Sequence, residues 1–84
     1  MEFPVLKNCQ VAVVVADGAT GHVYNDKGEL FRNDSKDNIY LIFDTIAMAK
    51  DYIQKQSIMH KKAEFIIYDK NNLLVEYIEA RYWK

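Results

Sequence analysis

Three apolar blocks stand out along the chain, separated by polar spacers. The first, Val11 to Val15, is β-branched apart from Ala12 and is bounded by Asn8 on one side and Asp17-Gly18 on the other. A short run of this make-up predicts a strand with both faces at least partly covered. The second, Ile39-Tyr40-Leu41-Ile42-Phe43, has no polar position and predicts a central strand covered on both faces. The third, Ala63 to Tyr68, predicts another strong strand, and Leu73 to Trp83 a long final one.

The spacers carry turn chemistry. In Asp17-Gly18-Ala19-Thr20-Gly21 the glycines can take positive φ, and the aspartate can close an Asx-turn. A short strand over His22–Tyr24 follows, then a turn at Asn25–Gly28 and a returning strand over Glu29–Arg32. Asn33 to Asn38 is polar throughout and reads as a loop. In Asp69–Asn72 the asparagines can take left-handed backbone. Tyr24-Asn25-Asp26-Lys27-Gly28 and Tyr68-Asp69-Lys70-Asn71-Asn72 echo each other. The echo reads as shared hairpin chemistry rather than a duplicated unit, because a true repeat would include a second helix.

The one helical period runs from Asp44 to Gln56. Asp44 is the expected N-cap, since its carboxylate can accept the orphan amides of a first turn. At 100° per residue Ile46, Ala49 and Ile53 share a stripe with Tyr52 at its edge, and Asp51, Gln54 and Lys55 face away. Ser57 to Lys62 reads as chain leaving the helix. The strand-cap-helix device at Phe43-Asp44-Thr45 resembles that of many small bacterial domains and singles out no family.

These elements predict an α+β domain spanning residues 1–84: a mostly antiparallel sheet of about five strands, β-β-β-α-β-β, with one helix packed on one face. A helix of about 13 residues is only about 20 Å long and covers one face. The three apolar blocks do not alternate as strands with one solvated face should. The second face therefore needs cover. Sheet curvature, the N-terminal arm around Phe3-Pro4-Val5-Leu6, or a second copy of the chain could supply it.

Composition changes this picture little. Half of the residues are apolar, too many for a disordered chain, and the formal net charge of −1 gives no bulk field for nucleic acid or an anionic membrane. Cys9 is the sole cysteine, so no internal disulfide forms. It is expected as a partly buried thiol in a reducing cytoplasm. The first residues lack the basic start and long apolar stretch of a secretory leader, and no segment has the roughly 20 apolar residues of a membrane span.

Candidate chemistry is sparse. His22 and His60 stand far apart, and no spacing joins them to Cys9 or to an acid as a catalytic set. No metal-ligand spacing, phosphate-binding loop or calcium loop is present, and no cofactor is expected. Asp44 is explained by capping. His60-Lys61-Lys62 is the one basic cluster, expected as a solvated connector near a helix C-terminus. Arg81-Tyr82-Trp83-Lys84 is the densest stretch of aromatic and cationic residues. Tyr77, Arg81 and Trp83 share one face of an extended strand, with Tyr82 on the other, and these residue types dominate protein interfaces. Trp83 folding back to finish the core is the plainer alternative.

The chain is accordingly expected to be a non-catalytic protein-interaction or accessory module, most simply a homodimer or a partner of another protein, contacting through Tyr77, Arg81, Tyr82 and Trp83. The alternative is a single-stranded nucleic-acid binder that stacks bases on the same aromatics. Glu76 and Glu79, interleaved with them, count against it.

Overall fold

The computed structural model describes residues 3–25, 29 and 38–80, and all that follows concerns these residues. They form an α+β fold with four strands: β1 (Val11–Asp17), β2 (Leu41–Phe43), β3 (Ala63–Tyr68) and β4 (Leu74–Ile78), with the helix α1 (Ile46–Met59) between β2 and β3. The sheet order is β2-β1-β3-β4 and every pair is antiparallel. Among the described residues no helix is long and apolar enough to cross a membrane.

The expected class holds, with a smaller strand count. His22–Tyr24 contributes a single bridge, Val23 to Ala16, instead of a strand. The return expected at Glu29–Arg32 lies outside the described residues apart from Glu29. Ile39–Phe43 is not central. It shortens to the three residues of β2 at a sheet edge, with Ile42 47 % exposed. Asn38 gives a local reason: its side chain accepts the Tyr40 N–H at 3.2 Å and donates to the Tyr40 carbonyl at 2.8 Å, so both backbone groups of that residue are engaged outside the sheet ladder. The true central strands are β1 and β3, which pair over six positions from Ala12↔Tyr68 to Asp17↔Ala63.

The helix begins one residue later than expected and runs three residues further. Thr45, not Asp44, is the N-cap; its extended backbone lets Oγ1 accept the Met48 N–H at 3.2 Å. Asp44 instead accepts Gln10 Nε2 at 3.1 Å and ties the N-terminal segment to the helix start. The stripe shifts accordingly. Ala49, Ile53 and Ser57 are buried, whereas Ile46 is exposed. Ser57 is tolerated there because its hydroxyl donates to the Gln54 carbonyl at 3.0 Å.

Register fixes which side chains meet the helix. Val11, Val13 and Val15 on β1 share a face with Phe65 and Ile67 on β3 and Leu41 and Phe43 on β2. With Ala49 and Ile53 they make the core, in which Val13, Phe65 and Ile67 are the largest fully buried side chains. Ala49 lets the helix axis come close, and Tyr52 packs on Phe43 with ring centroids 5.1 Å apart.

The opposite face carries Ala12, Val14 and Ala16, all buried. The N-terminal arm supplies part of their cover. The Phe3 ring stands edge-on to Tyr40 at 5.2 Å and to Tyr68 at 6.1 Å. Tyr68 pairs with Ala12 from one side of β1, and Tyr40 leads into β2 on the other. Phe3 therefore bridges across β1, and the small Ala12 leaves room beneath it. Two polar contacts anchor the same arm: Lys70 Nζ donates to Asn8 Oδ1 at 2.6 Å, and Gln10 reaches Asp44 as above.

The echoed turns share one hydrogen-bond pattern. Asp69 N–H donates to the Leu73 carbonyl at 3.0 Å while Asp69 Oδ1 accepts the Leu73 N–H at 3.0 Å. Asn25 and Glu29 repeat the arrangement, at 2.7 and 2.9 Å. In each case a tyrosine is followed by an Asx side chain that closes on the residue four further on. Asn72 takes the left-handed backbone expected of it, at φ 60°.

Candidate functional site

Of the four residues expected to make contact, Tyr77 is described; Arg81, Tyr82 and Trp83 lie outside the described residues. Tyr77 stands on the face opposite the helix, paired with Ile66, and its hydroxyl donates to Glu64 Oε2. It is 47 % exposed and belongs to an apolar strip with Leu73, Leu74 and Val75, at 61 %, 61 % and 43 %. A register shift opposite Ile67 and Tyr68 sets two residues of β4, Leu74 and Val75, against one of β3. Such a bulge bends the strand and re-aims its side chains. Glu76 turns to the helix side and pairs with Lys50 at 3.1 Å. Ala80, just beyond, is fully buried, so the chain is anchored again before Arg81.

The second feature is a notch of about 360 Å³ where the last turn of α1 meets the sheet. Val15, Ala63 and Phe65 make its floor; Gln56 and His60 come from the helix end, Lys61 and Lys62 from the connector, and Asp17 and Tyr24 from the β1 turn. No spacing in the sequence announces this set, because its members come from four separate segments. The signal available was the His60-Lys61-Lys62 cluster, and the connector reading holds only in part: His60 ends the helix, its N–H donating to the Gln56 carbonyl at 2.8 Å, yet all three residues also rim a cavity.

Asp17 organises that end of the molecule. Its Oδ1 accepts the N–H of Ala19 at 2.8 Å and of Thr20 at 3.3 Å, and its Oδ2 accepts the Tyr24 hydroxyl at 3.3 Å. The Ala19 amide above all, then Thr20, Tyr24 and the Lys62 charge, hold its carboxyl below the ordinary value of 3.8, against a partial desolvation that opposes them. Tyr24 is raised in turn, first by burial and then by the Asp17 charge. The connector is clamped to this turn by Gly18 N–H donating to the Lys62 carbonyl at 2.6 Å.

Cys9 is exposed, not partly buried as expected. It occupies the turn closed by Gln10 N–H on the Lys7 carbonyl, at φ 72°, a conformation that places it away from the core. Neither Cys9 nor His22 lines the notch, so the structure does not bring the cysteine and two histidines together there. Among the described residues no three His, Cys, Asp or Glu side chains gather closely enough to hold a metal ion.

No protein-family model matches the chain, and no curated protein or solved structure shows a significant likeness to it.

Proposed function

We propose that this protein works by binding another protein chain rather than by catalysis, and that the partner is a second copy of itself. The observation that supports this reading is the apolar strip Leu73, Leu74, Val75 and Tyr77 at one end of β4. Four consecutive or near-consecutive large apolar side chains at this exposure are costly to leave in water. A twofold interface is made of the same patch on both copies, so an apolar strip is its own complement and needs no opposite charge. The net charge of −1 sets little repulsion between copies. A stable dimer buries about 800 Å² per partner, and the expected contact residues Arg81, Tyr82 and Trp83 lie outside the described residues. In a reducing cytoplasm the exposed Cys9 thiol forms no disulfide across the contact.

Light scattering across a concentration series tests the reading. The wild type is expected to be a dimer, and Leu74→Asp a monomer with an unchanged circular-dichroism spectrum. Trp83→Ala is expected to weaken the dimer in the same direction. A wild-type monomer at every concentration would sink the proposal. If that monomer bound short single-stranded oligonucleotides with an affinity falling steeply with salt, the nucleic-acid reading would replace it.

A further inference from the structure

We infer that the notch at the C-terminal end of α1 is a binding site for a small organic anion, a flat apolar body bearing one phosphate or carboxylate group. The inference stands apart from the proposed dimer: the notch lies over Val15 and Phe65 on the helix face of the sheet, and Leu74 and Tyr77 of the strip are on the opposite face.

Three observations lead to it. The first is shape. A cavity of about 360 Å³ is at the small end of the range for ligand sites, large enough for one ring with one substituent. The second is the floor. The base is made of apolar side chains: half-buried Val15 gives its accessible part, with Ala63 and the closed Phe65 behind it. The third is the charge around the rim. Lys61 and Lys62 are exposed, and among the described residues neither lies within ion-pair distance of a carboxylate. The one acid that lines the notch, Asp17, keeps its charge and offsets part of that of Lys62, while its oxygens accept from Ala19, Thr20 and Tyr24. With two lysines against one carboxylate the rim is cationic overall, and Gln56 and His60 add hydrogen-bonding groups.

Cations that follow a helix also offset the negative end of its dipole. That role needs only proximity. It does not account for an apolar floor beneath the lysines, nor for Gln56 lining the same space. An anion alone would gain little from the floor, and an apolar molecule alone would leave the lysines idle. A ligand combining the two uses the whole notch.

The test is a titration of ¹⁵N-labelled protein with phenyl phosphate, read by amide shifts, with inorganic phosphate and phenol as separate arms. Saturable shifts are expected at Gly18, Lys62 and Ala63, the amides of the clamp around the notch, with binding by phenyl phosphate at least about tenfold tighter than by either fragment. The double variant Lys61→Gln, Lys62→Gln should weaken phenyl phosphate by about tenfold or more; both residues are on the surface, and unchanged shifts elsewhere would report an intact fold. Absence of saturable shifts overturns the inference. So does equal binding by inorganic phosphate or by phenol, since either would make half of the notch irrelevant, and so does a double variant that binds as tightly as the wild type.

Discussion

Along β1 the two faces of the sheet reach similar burial by different means. On one face a 14-residue helix lays Ala49 and Ile53 against Val13, Phe65 and Ile67. The cover is a regular element, held by its own hydrogen-bond ladder, and the sheet answers with large side chains. On the other face β1 presents Ala12, Val14 and Ala16, and the described cover is an irregular arm that crosses β1 with one ring, Phe3. Small residues beneath an irregular segment give close approach without interlocking. Cover of the first kind opens only with the whole fold, whereas cover of the second kind can open locally. The lack of alternation in β1 thus needs no second protein to explain it, while the apolar strip along β4 on that face stays exposed. In this chain the arm just before β1 folds back to cover it.

The comparison breaks most sharply at Phe65. It is 1 % exposed and lies between β1 and α1. Truncation to alanine is expected to cost about 3–5 kcal/mol, enough to unfold much of a domain this small, as read from urea unfolding. A loss near 1 kcal/mol would mean the helix face is looser than its burial implies.

The opposite face predicts a coupled pair of effects. Ala12→Leu places a larger side chain beneath the Phe3 bridge and is expected to cost about 1–3 kcal/mol. Phe3→Ala alone is expected to cost about 1–2 kcal/mol, less than a core aromatic because the ring is only half-buried. Combined, the two should be less harmful than their sum, because removing the ring makes room for the leucine. Strict additivity in the double-mutant cycle would show that Phe3 does not pack over Ala12. Hydrogen exchange sharpens the point: Phe3→Ala should speed exchange in the arm and leave the β1–β3 amides at the global rate.

What could be read in advance follows the range of the interactions involved. The turns at Asp17 and Asp69 were legible because an aspartate closing on amides two to four residues ahead is local chemistry. So was the helix stripe at Ala49 and Ile53, which depends only on period. The cap was missed by one residue because Asp44 and Thr45 are both good caps, and the choice falls to Thr45 once Gln10, 34 positions away, engages Asp44. The all-apolar Ile39–Phe43 suggested a central strand, yet its place at the edge is decided by which strands β1 pairs, a non-local matter. The notch was illegible for the same reason: Asp17, Tyr24, Gln56, Lys62 and Phe65 become neighbours only when α1 docks. The apolar strip lay beside the expected contact residue Tyr77, but its centre, at Leu73 to Val75, falls on the bulged part of β4 that a strict two-residue period cannot follow.

The smallest expected effect concerns the end of the helix face, where apolar packing gives way to the Asp17 network. The Ala19 amide, first among its donors, favours the charged carboxylate and lowers its pKa in the folded state below the ordinary 3.8. A carboxyl that binds its proton less readily folded than unfolded adds stability while it is ionised in both states, above about pH 4. That contribution fades as the pH falls from the ordinary value through the folded one, because the unfolded chain then takes up the proton first. Asp17→Asn keeps a side-chain oxygen for the turn but removes the charge, so the variant should be slightly less stable than the wild type at neutral pH. The gap between their urea midpoints should hold down to about pH 4 and close below it. A gap that stays constant into acid would assign the turn to geometry alone. In that event the carboxylate's charge would add nothing to stability, and the Lys62 charge beside it would have no folded-state partner to stabilise.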